Sequence, residues 1–128
     1  MTYTISQVAE MTGISPYTLR YYDNEGLLPF LEKDKNGNRI FRESDLEALS
    51  LISCMKETGM SIKDLKNFMQ LCTKGDSSLK ERLEIVKSHK LKVEEQLAKI
   101  HKHMEKIDYK LWYYSIAVEA GTEAVHKK

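Results

Sequence analysis

Apolar and polar positions follow two rhythms along this chain, a short irregular one up to residue 75 and a long regular one after it. Between Ile5 and Leu28 the apolar positions fit two short helices joined by a tight turn. Ala9, Gly13 and Leu19 have the helix-turn-helix spacing: a small residue, a glycine four later, an apolar residue six beyond. The small Ala9 lets the helices cross closely, and Gly13 can take the positive φ that stops the first one. Leu19 and Tyr22 turn the second helix's inner stripe toward Ile5, Val8 and Ile14. Its outer stripe carries Tyr17, Thr18, Arg20, Tyr21 and Asn24, donors and aromatics rather than the Glu/Lys mixture of a solvated face. Such a face fits a major groove. Thr4 with Gln7 predicts a capping box, Tyr3 with Val8 a hydrophobic staple, and Ser15 with Pro16 the start of the second helix.

Asn36-Gly37 between two short runs is a hairpin signal, so Phe30–Lys33 and Arg39–Arg42 are predicted to pair as a two-strand ribbon. Directly after a helix-turn-helix such a ribbon is a wing, with Lys35, Asn36 and Asn38 near a polar, basic tip. The plainer alternative is a solvated hairpin held to the core by Phe30 and Phe41. Ser44 with Glu47 and Ser61 with Asp64 predict caps for helices over Asp45–Thr58 and Ile62–Lys74. Leu46, Leu49, Ile52, Leu65, Phe68, Met69 and Leu71 would fill their shared core. Lys63 and Lys66 flank the start of the fourth helix, where free amides also attract anions, so they form either a second phosphate clamp or a solvated lysine face.

Ser78 with Glu81 predicts the start of a fifth helix, in which Leu79, Leu83, Val86, Lys90, Val93, Leu97, Ile100, Met104, Ile107, Leu111, Tyr114 and Val118 recur at alternating spacings of three and four. All but Lys90 are apolar or aromatic, which describes a coiled-coil seam. At ~1.5 Å per residue the helix would be roughly 60 Å long, more than one small domain can cover, so a homodimer is expected. Leucine dominates the a positions and β-branched residues the d positions, the reverse of a parallel dimer's preference. Alternating layers in an antiparallel pair accommodate that order, with Lys90 fixing the register or merely snorkelling at the rim. The fold class is therefore mainly α. A winged helix-turn-helix head spans 1–75, comprising the helix-turn-helix at 4–25, the wing at 30–42 and a helical pair at 44–74. An antiparallel dimerisation helix follows at 76–120, then a tail at 121–128.

Composition changes this picture little. The 128 residues carry a net charge of +1, and residues 1–75 hold nine Lys/Arg against ten Asp/Glu, so any DNA affinity must come from a local basic stripe. Two well-separated cysteines suggest no disulfide framework, and no stretch has the length of a membrane span or the pattern of a signal region. A cytoplasmic, nucleoid-associated protein that uses no cofactor is expected.

Taken together, Ile5-Ser-Gln-Val-Ala, Ser15-Pro-Tyr-Thr-Leu-Arg-Tyr-Tyr-Asp, Gly26-Leu-Leu-Pro, Asn38-Arg-Ile-Phe-Arg and Gly59-Met-Ser-Ile, followed by the long helix, make the chain resemble the MerR family of bacterial transcription regulators. The resemblance implies a homodimer on a pseudo-palindromic promoter spacer. It also implies activation by bending and untwisting the DNA so that RNA polymerase finds both promoter elements aligned. The candidate DNA contacts are Ser15, Tyr17, Thr18, Arg20 and Tyr21 on the helix, Lys35, Asn38, Arg39 and Arg42 on the wing, and Lys63 and Lys66 beyond it. Many members have tyrosine in the wing where this chain has Phe41, so that hydroxyl is missing. The dimer contacts are Leu83, Val86, Val93, Leu97, Ile100, Met104, Ile107 and Leu111.

No cysteine follows Cys72, and His101 and His103 diverge on a helix, so a metal sensor is not expected. Cys54 stands where the thiol-based, aldehyde- or electrophile-responsive subgroup of the family has a cysteine, which makes a reactive small-molecule inducer the expected signal. Thiol chemistry needs access and basic neighbours, and a small buried residue near Leu51 is the ordinary alternative. Cys72 reads as core, and the histidines receive no role. Trp112, Tyr113 and Tyr114 either pack on the partner's second helical pair, cover its Cys54, or line a pocket for an unmodified ligand. A coiled-coil interaction module with a weak, sequence-indifferent DNA-binding head, or a recombination-directionality factor, remains open; Cys-x-x-Cys, clustered histidines and glycine-rich phosphate loops are all missing, and an enzyme is not expected.

Overall fold

The computed structural model describes residues 1–127. Helix α1 (Ile5–Thr12) begins at a reciprocal cap, in which the Gln7 amide donates to Thr4 Oγ1 at 3.2 Å and the Thr4 amide to Gln7 Oε1 at 2.9 Å. It stops at Gly13, whose φ of 75° suits a residue without Cβ. Helix α2 (Pro16–Asn24) starts from Ser15, whose hydroxyl accepts from the Thr18 amide at 3.1 Å.

The wing is larger than the expected two strands. β1 (Thr2–Tyr3), β2 (Glu32–Lys33) and β3 (Arg39–Arg42) form an antiparallel sheet in the order β1-β3-β2, with Tyr3 opposite Phe41 and Lys33 opposite Arg39. β2 is shorter than Phe30–Lys33. Pro29 has no amide for a ladder, and the Leu31 amide turns back to the Leu28 carbonyl at 3.1 Å. Phe41 is fully buried and roots the wing in the core, whereas Phe30 is exposed. The tip differs as well. Only Gly37 is left-handed there, at φ 82°, and Asp34 organises the turn by accepting the Asn36 and Asn38 amides, each at 2.9 Å.

Helix α3 (Glu43–Glu57) starts two residues before the expected Asp45, and Ser44 does not cap it. The buried Asp45 carboxylate accepts the Arg42 amide at 2.8 Å, because β3 runs straight into the helix and a charged acceptor at the third helical position reaches back to that amide. Helix α4 (Ile62–Thr73) opens as expected, with Ser61 Oγ accepting from the Asp64 amide at 3.1 Å. Val8, Leu19, Leu27, Phe41, Leu49, Ile52 and Leu65 are fully buried in one core, and of the residues expected to fill the helical pair only Leu46 stays half-buried.

A 3-10 turn at Gly75–Ser78 leads into α5 (Leu79–Ala120, 42 residues). Ser78 is not the expected cap with Glu81. It is buried, its hydroxyl donates to the Leu71 carbonyl, and Arg82 spans it with Nε on Ser78 Oγ at 3.0 Å and Nη2 on the Gly75 carbonyl at 2.8 Å. The chain divides into two units, Met1–His89 and Lys90 onward. The second consists of the rest of α5 and a 3-10 turn at Glu123–His126 capped by Thr122. There the His126 ring stacks on Tyr113 with centroids 4.0 Å apart, and its Nε2–H donates to the Tyr113 carbonyl at 2.8 Å. Residues 121–127 are therefore a folded turn rather than a plain tail, and Lys128 lies outside the described residues.

Candidate nucleic-acid interface

The inner stripe of α2 is buried through Leu19 and Tyr22, which fixes the rotation of the helix and turns the other stripe outward. On that stripe Tyr17 is 79% exposed and Tyr21 39%, Arg20 is exposed and Thr18 half-buried. Ser15 is exposed, but its hydroxyl already serves the cap and lies 3.0 Å from Thr18 Oγ1. A groove of about 420 Å³ runs between the start of α1, α2 and the wing, with Gln7, Arg20, Asn38 and Arg39 on its walls.

The wing is tied to this face by one carboxylate. Asp23 accepts from Arg39 Nε at 2.7 Å and lies 3.9 Å from Lys33 Nζ, while Arg39 Nη2 reaches Asn24 Oδ1 at 3.4 Å. The Asp23 and Arg39 side chains are only 16% and 17% exposed, so the pair is partly desolvated and holds the ribbon beside α2 in one pose. Arg39 is thus first a strut, with its remaining N–H groups available outward. Arg42 is exposed and pairs with Glu32 across the ribbon at 2.7 Å, a hydrogen bond that holds its guanidinium still more firmly protonated. Lys35, Asn38, Lys63 and Lys66 are exposed. Tyr3 fixes the outer edge of the sheet to α3 by donating to Glu43 Oε1 at 2.6 Å, and this bond raises its pKa above the ordinary phenol value.

Asp23 closes the Ser15-Pro-Tyr-Thr-Leu-Arg-Tyr-Tyr-Asp stretch, where its sequence neighbours alone give it no role. Its cross-strand partners Lys33 and Arg39 were the available signal. Asp23→Ala leaves Nε of the largely buried Arg39 without its acceptor, and the expected cost is about 1.5–3 kcal/mol of stability, read as a lower urea midpoint. An unchanged midpoint would dismiss the strut.

Cys54 is exposed on α3 in the single chain, and Cys72 is half-buried against the core. Among the described residues no three His, Cys, Asp or Glu side chains come together as metal ligands, and no helix is long and apolar enough to cross a membrane. Along α5, Leu83, Val86, Leu97, Ile100, Met104, Ile107 and Leu111 are all exposed and Val93 is half-buried. Trp112 and Tyr114 are exposed, while Tyr113 lies under His126 and 4.6 Å from Lys110 Nζ. Two histidines thus acquire structural roles that the sequence had not suggested: His126 here, and His89, which is buried and 2.7 Å from Thr58 Oγ1.

A helix-turn-helix with its outer face free, and a wing pinned beside it over a groove bearing two arginines, defines a winged-helix DNA-binding protein. The model of the MerR HTH family regulatory proteins matches residues 3–72, and the chain belongs to that family of transcription regulators. It is similar to an uncharacterised HTH-type transcriptional regulator of Haemophilus influenzae, 44% identical over 122 residues that cover 95% of this chain and 90% of the relative. Among solved structures it is similar to HiNmlR, described as a MerR family regulator lacking the sensor domain and bound to promoter DNA. The TM-score is 0.90 and the identity 43%, over 98% of this chain and 99% of that one. A MerR family regulator from Bacillus thuringiensis superposes with a TM-score of 0.80 at 40% identity, over 87% of this chain and 97% of the other.

Proposed function

We propose that the protein binds a pseudo-palindromic promoter spacer as an antiparallel homodimer and switches transcription by distorting that DNA, in response to an electrophile at Cys54. The observation that carries the DNA part is the Asp23 pin, which keeps the wing and the free face of α2 on one side of the head. Tyr17, Thr18, Arg20 and Tyr21 meet the major groove, while Lys35, Asn38 and the spare N–H groups of Arg39 and Arg42 follow the flanking backbone. Lys63 and Lys66 at the start of α4 supply a second phosphate contact. Support for the dimer comes from the uncovered apolar stripe of α5, and the order of leucine and β-branched residues along it favours the antiparallel arrangement. HiNmlR, described as lacking the sensor domain, was captured on promoter DNA, which supports a DNA partner here, and the signal is proposed to act on the head itself.

Cys54 suits that role by its exposure. Its Sγ adds to an aldehyde carbon, the C=O π bond opens, and the thiol proton passes to the oxygen to give a hemithioacetal. The test is run-off transcription from DNA upstream of the protein's own gene, with and without formaldehyde. Wild type should change its transcript level with the aldehyde, whereas Cys54→Ala should keep operator affinity within about threefold and lose the response. A full response in Cys54→Ala would remove the thiol from the mechanism and favour an unmodified ligand at the aromatic end of α5.

A further inference from the structure

We propose that the hydrogen bond between His89 and Thr58 is a joint that couples the pose of the dimer helix to that of the reading helix, making both residues positioning residues for regulation rather than for DNA affinity. The proposal rests on the reading that the protein acts by changing DNA geometry, and not on the chemistry of Cys54.

Thr58 is the C-cap of α3, and its hydroxyl lies 2.7 Å from the Cys54 carbonyl and 2.7 Å from His89 Nε2. The Met55 carbonyl lies 3.2 Å from the same oxygen, and since neither carbonyl can donate, the hydroxyl proton is directed to this carbonyl pair and the Thr58 oxygen accepts from His89. That assigns the Nε2–H form to an imidazole that is only 9% exposed. A second tie leaves the same turn in the other direction. Lys56 Nζ stands 5.4 Å from the ring centre of Tyr22, one of the two buried residues of α2, whose ring centre is 6.2 Å from that of the reading-face residue Tyr21. The last turn of α3 therefore touches the dimer helix through Thr58 and the reading helix through Lys56.

On α5 the contact lies on the helix face that meets the head. Arg82 fixes the base of α5 to Ser78 and Gly75, Ile85 packs on the core, and His89 stands seven residues beyond Arg82 on the same side. A tilt of α5 about the Arg82 base moves His89 more than Ile85. Apolar contacts tolerate such sliding, but a hydrogen bond weakens steeply as its angle falls. The Thr58–His89 bond is thus the element best placed to distinguish two poses of the helix, and losing it frees the α3 turn that supports Tyr22.

The test compares wild type, Thr58→Val, His89→Gln and the double variant Thr58→Val/His89→Leu by operator binding and by run-off transcription at saturating protein, on the protein's own upstream DNA. Gln keeps a donor near the Nε2 position, and the double variant removes both polar partners, so it avoids an unsatisfied buried group and should keep its melting temperature. The expected result is operator affinity within about threefold of wild type throughout, a transcript level changed by about fivefold or more in Thr58→Val and the double variant, and wild-type output in His89→Gln. Wild-type output in all variants, or output that falls only in proportion to affinity, would overturn the joint. If saturating wild type itself leaves transcription unchanged, the regulatory reading fails first and the joint with it.

Discussion

If the protein pairs through α5 as proposed, Leu97→Glu is expected to leave it monomeric at concentrations where wild type is dimeric. Leu97 sits mid-stripe on α5 and is 53% exposed, so pairing with a second copy would bury it beside Val93 and Ile100. The substitution places a carboxylate in that apolar seam twice, once per copy. Burying even a neutral polar group without a partner costs about 1–3 kcal/mol, so the two carboxyl groups together weaken the proposed dimer by at least about 2–6 kcal/mol, roughly 30-fold to 20,000-fold. Sedimentation equilibrium reads this directly. The core of the head lies within Met1–His89, so tyrosine near-UV dichroism should persist in the monomer. Lys102→Glu, off the stripe, is the control and should remain dimeric. A Leu97→Glu protein that still sediments as a dimer would mean that the stripe is not the interface.

Arg20→Ala has the second large effect. Arg20 is an exposed cation on the free face of α2, and it also lines the groove shared with Asn38 and Arg39. Its loss should weaken operator binding by about 1–3 kcal/mol, roughly 5- to 150-fold. Salt separates two roles. If Arg20 contacts a phosphate, the slope of log affinity against log salt falls by about one and non-specific DNA is affected alike. If it reads a base, the slope persists and discrimination at one position relaxes. Unchanged affinity would remove α2 as the reading element.

The helix-turn-helix was legible because local chemistry and the fold agree there: Thr4 and Gln7, Ser15 and Pro16, and Gly13 act within a few residues of themselves. The core of the helical pair was legible for a similar reason, since apolar spacing fixes which face turns inward. What escaped depends on partners distant in sequence. β1 is two residues long, too short for any periodicity, and exists only because Tyr3 finds Phe41 across 38 positions. Ser44 has the better capping side chain on paper, yet the direction in which β3 delivers the chain hands the cap to Asp45. Asn36-Gly37 suggested a two-residue turn, but the Asp34 carboxylate draws both following amides into a wider one.

The candidate site divides the same way. Exposure of Tyr17 and Arg20 follows from helix phase alone. That Arg39 serves as a strut, and that Asp23 is what holds it, requires knowing how the ribbon lies on α2. Thr58 and His89 are 31 positions apart, and no pattern in the chain pairs them.

Hydroxyl-radical footprinting on DNA upstream of the protein's own gene tests the central claim most directly. Two reading heads joined by a dimer helix predict two protected patches related by two-fold symmetry, about one or more helical turns apart, flanking a spacer whose cleavage changes as the DNA is distorted. A single unpaired patch, or diffuse protection without symmetry, would contradict a dimeric operator-binding regulator.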